Sequence, residues 1–300
     1  MTKTIILLPL FFGFVTSIFA ASSNTDDIYF IDAHSQLDVK VEQQQILDLM
    51  SQHQVRKTIL GARGQMSSHN VAHFAKQHPE QIVAAMRTES MYYREGNPEF
   101  YLEVGNQYAS GKYQAMGEIV IYSAGDKGKY ADIAVSPADS RVNVAVGIAE
   151  EAGWPAIVHI DFSMMDSAMH TQYRNELEGL LAQYGHHPIL LSNMGKLKAK
   201  EVAWLIERHD NIFFLTTDAS DPEFAMLDGM TLSSEWKPLV MSHPDRFVFA
   251  VDNVSADDWQ NEYSEVMRHW RSALSELPND VAHAVAHGNA ERLWKMSSAK

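Results

Sequence analysis

Cysteine is absent from the 300 residues, which excludes disulfides, thiolate nucleophiles and cysteine zinc sites together. Positive charge is scarce. Lys and Arg number 24 against 38 Asp and Glu, a formal net charge of -14. An acidic surface of this kind repels phosphate backbones, so the reading excludes nucleic acid as a partner. Long apolar runs are missing as well: the stretch from Ile5 to Val15 is broken by Thr16 and Ser17, too soon to span a bilayer. Glycine and proline are sparse, 16 and 10 residues, and no Gly/Pro-rich linker divides the chain. What remains is 46% hydrophobic and 21% charged, the balance of a chain that buries a sizeable core. A metal site would have to come from carboxylates and the 14 histidines.

Lys3, the apolar stretch after it and the small-residue zone Ser17-Ile18-Phe19-Ala20-Ala21 form the three regions of a secretory signal. Residues 1–21 therefore read as a cleaved signal peptide. The mature protein is expected to be exported, periplasmic or secreted, without membrane attachment after cleavage. The folded unit is expected over residues 27–297.

From there on, short β-branched runs alternate with longer amphipathic ones. The strands expected are 28–32, 57–62, 82–88, 115–122, 156–160, 188–193, 212–217 and 246–252. Helical patterns lie between most of them, for example over 41–53, 70–78, 98–110 and 140–153. Such alternation predicts βαβ units and a parallel sheet. Eight units without a linker predict an α/β fold of one kind, a single (β/α)8 TIM barrel. An open doubly wound sheet would favour a glycine-rich loop after the first strand, and Asp32-Ala33-His34-Ser35-Gln36 contains no glycine.

A barrel of this kind carries its chemistry at the C-terminal ends of the strands. Polar residues recur at those ends: His34 and Gln36 after the first strand, Glu118 on the fourth, His159 and Asp161 on the fifth. Asn193 follows on the sixth, Thr216-Thr217-Asp218 on the seventh and Asp252-Asn253 on the eighth. Charges next to a barrel core need pairing or ligation. His34 and Gln36 share a face of their strand and can converge with His159, Glu118 and Asp252. Two imidazoles and a carboxylate suit one divalent ion, zinc by ligand type, with an open position for water. Asp252 is then placed to take the water's proton. Taken singly, each residue has a plainer reading; Asp32, for instance, serves equally as the cap of a turn. The coincidence at matching strand ends favours a site.

Three stretches carry a family resemblance: Ile31-Asp32-Ala33-His34-Ser35-Gln36, Arg246 to Asn253, and His287-Gly288-Asn289-Ala290-Glu291-Arg292-Leu293-Trp294. Together they resemble the amidohydrolase superfamily, in its amidohydrolase-related branch of metal-dependent barrel hydrolases. The last stretch is similar to the family's terminal Gly-Asn-Ala-x-Arg-Leu signature. The resemblance implies hydrolysis of an amide, ester or lactone, or in some relatives metal-assisted decarboxylation. It places His34, His159 and Asp252 at ligand positions, with Glu118 at a fourth-strand position that some branches use. Gln36 stands where the family has the second His of His-x-His, and Asn193 where it has a His before a glycine pair. Their neutral amides are poorer zinc ligands and are expected to hydrogen-bond water or substrate, which makes the metal site a degenerate one.

Arg63 and Arg87 end the second and third strands, placed either to fork onto a substrate carboxylate or to pair with Glu89 or Glu118. Lys127 and Tyr130 lie in the loop after the fourth strand, read as a lid or as ordinary solvated loop. The expected partner is thus a small-molecule substrate. Two alternatives stand beside hydrolysis: a metal-free barrel that binds a small acid through Arg63 and Arg87, and a metal-assisted decarboxylase.

Overall fold

Apolar runs such as Ile189–Leu191 and Ile212–Leu215 are buried throughout, as strands packed on both faces require. The computed structural model describes residues 28–124, 132–218, 224 and 226–296. The expected signal peptide, Lys127 and Tyr130 lie outside these residues. Among the described residues, eight parallel strands form the barrel wall: Phe30–Leu37, Val55–Ala62, Ile82–Ala84, Ile119–Ser123, Ala156–Ile160, Ile189–Leu191, Ile212–Leu215 and Phe247–Val248. The third and fourth are joined through a bridge between Ala85 and Ala115 and a bond from Met86 N to Ala115 O of 2.9 Å. The eighth closes on the first through Ala33 N to Phe249 O (3.0 Å), Asp252 N to His34 O (2.8 Å) and Gln36 N to Asn253 O (2.7 Å).

One small cluster fills the barrel. Ile31, Ile59, Ala85, Ala115, Ile157, Leu190, Phe213 and Val248 each come from a different strand or its extension. A larger apolar layer lies between the barrel and the helices. The helices face it by their spacing: Gln43–Gln52 buries Ile46, Leu47 and Met50, and Ala199–Arg208 buries Ala199, Val202, Leu205 and Ile206. Each fully buried Leu or Ile contributes roughly 1.5–3 kcal/mol. Helix ends follow local chemistry too. Ser140–Ala152 starts at Asp139, whose side chain accepts from Arg141 N, and stops at the left-handed Gly153.

The Asn289 signature has a structural explanation. Its buried amide donates to Pro244 O (2.8 Å) and Phe247 O (2.7 Å), clamping the closing helix Asn289–Leu293 onto the start of the eighth strand. Arg292 adds a bond to Asp245 O and covers the Phe213 ring.

Several strand ends differ from the sequence expectation. The first strand runs on to Leu37, so Asp32 caps no turn. It is fully buried, accepts from Val251 N (3.0 Å) and from Ser35 Oγ (2.6 Å), and thereby ties the first strand to the eighth. The register slips by one residue between Asp32 and Ser35, a bulge that re-aims the residues between them. The eighth strand is shorter than expected, because the chain beyond Val248 bends and spends its hydrogen bonds on the first strand.

Candidate active site

The bulge and the bend bring two distant segments together at the C-terminal end of the barrel. His34 Nε2 lies 3.3 Å from Asp252 Oδ1 and 3.7 Å from Glu118 Oε2. The other oxygen of Glu118 is 3.1 Å from His159 Nδ1, and Ser192 Oγ reaches the same nitrogen at 3.2 Å. The result is a buried chain from Asp252 through His34 and Glu118 to His159 and Ser192.

Electrostatics within the chain are mutual. Burial alone would push His34 down, but the carboxylates of Asp252 and Glu118 outweigh it and raise its pKa well above the ordinary range. His159 is likewise opposed by burial and raised by Glu118. For Glu118, burial acts upward and the two imidazoles outweigh it, holding the carboxyl well below the ordinary value. Burial lifts Asp32 to about 6 against the bonds from Ser35, Val251 and His34.

Backbone strain gathers at the same rim. Asp252 has φ of 60°, Asp218 has 51°, and the run from Asn193 to Lys196 is left-handed at every residue. Such conformations cost roughly 1–3 kcal/mol each and concentrate at functional sites. Gly117 marks a close approach on the neighbouring strand end: a Cβ there would fall onto the Met86 carbonyl. Thr88 Oγ1 donates to Glu118 O and fixes the backbone that carries the bridging carboxylate.

A cavity of about 910 Å³ opens beside this chain, lined among others by Gln36, Arg63, Glu118, His159, Asp218 and Asp252. The structure thus brings together His34, Glu118, His159 and Asp252, with Gln36 and Arg63 on the adjoining wall. Arg63 Nη1 donates to Gln36 Oε1 at 3.2 Å. Arg87 also lines the cavity, but its guanidinium is tied to three backbone carbonyls, Glu89 at 2.9 Å, Met66 at 3.1 Å and Gly64 at 2.9 Å. Asn193 is nearly buried and turns to its neighbours: Thr217 Oγ1 donates to its oxygen, and its Nδ2 donates to Asp218 Oδ2 at 3.2 Å. Ser192, Thr217 and Asp218 join the site without having been singled out as candidates for a role in the sequence. The polar run Thr216-Thr217-Asp218 at the end of an apolar strand was the signal.

Two atoms bear on a metal. His34 Nε2 and Asp252 Oδ1 are buried and have no hydrogen-bond partner, although they face each other. Bonds of about 2.0–2.2 Å to a tetrahedral ion would set donor atoms roughly 3.3 Å apart, which is the spacing found between these groups. Yet among the described residues no group of three or more His, Asp or Glu side chains is arranged to hold an ion. The donors face one another in pairs, because Glu118 draws both imidazoles onto its own oxygens. Donor chemistry and the two orphaned atoms fit a divalent ion; the pairing is what the chain adopts by itself.

No family profile matches the sequence, and no curated protein matches it. Solved structures do. An uncharacterized TIM-barrel protein from Bordetella bronchiseptica superposes with a TM-score of 0.57 at 15% identity, over 84% of this chain and 82% of its own. A probable 2-pyrone-4,6-dicarboxylic acid hydrolase from Acinetobacter baumannii, with citric acid bound, gives 0.58 at 9% identity, over 89% of this chain and 100% of its own. An amidohydrolase from Burkholderia multivorans with bound zinc gives 0.58 at 12% identity, over 90% and 100%. The fold is therefore a TIM barrel, the fold that these structures share.

Proposed function

We propose that the protein is a hydrolase of a small carbonyl substrate, an amide, ester or lactone, that works with one divalent metal ion, zinc by ligand type. The observation that carries this reading is the convergence of His34, Glu118, His159 and Asp252 around two orphaned buried atoms at the catalytic end of the barrel. His34, His159 and Asp252 would hold the ion, with Glu118 as further ligand or acid–base group. When bound, the ion would polarise the carbonyl and acidify a water. Asp252 takes the proton from the attacking water. Glu118 holds His159 by Nδ1 and keeps that ring in one orientation. Gln36 and Arg63 bind the substrate on the adjoining wall.

Elemental analysis of protein purified with divalent ions supplied tests the reading. About one ion per chain is expected, lost in His159→Ala and kept in His187→Ala. Equal metal content in the two variants would refute the ligand assignment. Turnover of a panel of simple esters, lactones and amides tests the reaction, and product analysis separates hydrolysis from decarboxylation. A metal-free barrel that binds a small acid is the second reading, favoured by the pairing of Glu118 with both imidazoles. Absence of both metal and turnover would select it.

The reading of residues 1–21 as a signal peptide makes the protein an exported one. N-terminal sequencing is expected to find a start near Ala21 or Ser22; an intact Met1 in the cytosol would overturn this. Among the described residues no helix is long and apolar enough to cross a membrane.

A further inference from the structure

Three arginines line the cavity, and their guanidiniums are engaged differently. Arg87 spends its donors on the carbonyls of Gly64, Met66 and Glu89. Arg94 is paired with Glu89. Arg63 donates one N–H to a neutral amide, Gln36, and retains a fork with donors to spare. Across the mouth, three strands round the barrel by way of the first and eighth, Asp218 also lines the cavity. It stands outside the His34–Glu118–His159–Asp252 chain, so an ion bound there would leave its charge in place. Its carboxylate is held in register by Asn193 Nδ2, and Asn193 is itself locked by Thr217.

We propose that Arg63 and Asp218 read opposite charges on one molecule, and that the substrate is a zwitterion bearing a carboxylate and an ammonium group. The inference rests on the reading of this cavity as the substrate site and names the class of molecule it takes. Carboxylates outnumber guanidiniums in the lining. A dianion would therefore meet one available guanidinium amid repulsive charge, and a simple cation would be repelled by Arg63. A molecule with one charge of each sign satisfies both walls, and each mismatched charge is rejected. Arg87 is then a positioning residue: it holds Gly64, next to Arg63, in place.

The test is equilibrium binding, which needs no turnover. Calorimetric titration would compare 3-aminopropanoate, 4-aminobutyrate, 5-aminopentanoate and 6-aminohexanoate with the α,ω-dicarboxylate of equal chain length. Expected is at least one ω-amino acid that binds about tenfold or more tightly than its dicarboxylate, the scale of one charge-assisted contact. Asp218→Asn is expected to abolish that preference, and Arg63→Met to weaken both members of the pair. Asn tolerates the left-handed backbone at position 218, so the variant is expected to fold. Should it fail to, the wild-type preference still decides. Dicarboxylates binding as well as the amino acids, no binding by any ω-amino acid, or an unchanged preference in Asp218→Asn would each overturn the proposal. Metal content and ester turnover on the same preparation report separately on the hydrolase reading.

Discussion

Asp252 joins an unusual backbone to the proton-accepting role proposed for it. Its φ of 60° is a conformation that Asn accepts readily, so Asp252→Asn keeps the shape and removes charge and basicity. The expected outcome is a folded protein with turnover reduced roughly 10²–10⁴-fold, the worth of a positioned acid–base group. Activity and melting temperature measured on one preparation check it. Active protein with a loss of about 1 kcal/mol of stability would instead mark a capping residue. The two candidate arginines separate in the same manner. Arg87→Met leaves three carbonyls without their donor and is expected to cost about 1–3 kcal/mol of unfolding free energy, read from urea denaturation. Arg63→Met is expected to leave stability nearly unchanged and to weaken carboxylate binding.

At the scale of elements, site and packing meet where the third and fourth strand ends approach. Gly117 stands against the Met86 carbonyl with no room for a side chain, and the next residue, Glu118, bridges the two imidazoles. Gly117→Ala is expected to force these strand ends apart. It should cost roughly 1–3 kcal/mol or more by overpacking, read from urea denaturation, and should lower metal binding together with stability. The closing helix is a second such joint. Its Asn289 ties the helix to the eighth strand, whose continuation carries Asp252, so this signature residue supports the site from the opposite end of the barrel.

Across the whole molecule, the end of the barrel away from the cavity carries its own titratable cluster. His287 stacks on Tyr29 at 3.8 Å between ring centres, with Arg56 over the same tyrosine; both its ring nitrogens are buried without a hydrogen bond, Nδ1 lying 3.5 Å from Glu291 Oε2. Burial lowers its pKa, opposed by Glu291 and assisted by His283 and Arg56. The unfolded chain therefore binds this proton more readily than the folded one. Stability is expected to fall as pH drops below about 6.5, the ordinary imidazole value. His287→Phe, which keeps a stacking ring, should lose less stability between pH 7.5 and 5 than the wild type. Paired urea titrations at the two pH values check this, and equal losses would assign the acid sensitivity to other groups.

Much of the architecture was legible in the chain alone. Short apolar, β-branched runs alternating with longer amphipathic patterns leave few ways to bury both faces of a sheet, and the barrel follows from that. That His34, Glu118, His159 and Asp252 are candidates was legible too, because ionisable residues within or beside apolar strand runs stand out against the cost of burying charge. What each side chain touches was not. Periodicity carries no information about a bulge at Asp32–Ser35, about Arg87 spending its donors on its own loops, or about Asn193 turning to Thr217 and Asp218 rather than into the cavity. Those outcomes depend on partners far apart in sequence, such as Asp32 with Val251 or Asn289 with Phe247. Local sequence determined which residues could do chemistry at the rim; the closure of the barrel decided which ones face the cavity, because only there do separate strand ends compete for the same hydrogen bonds.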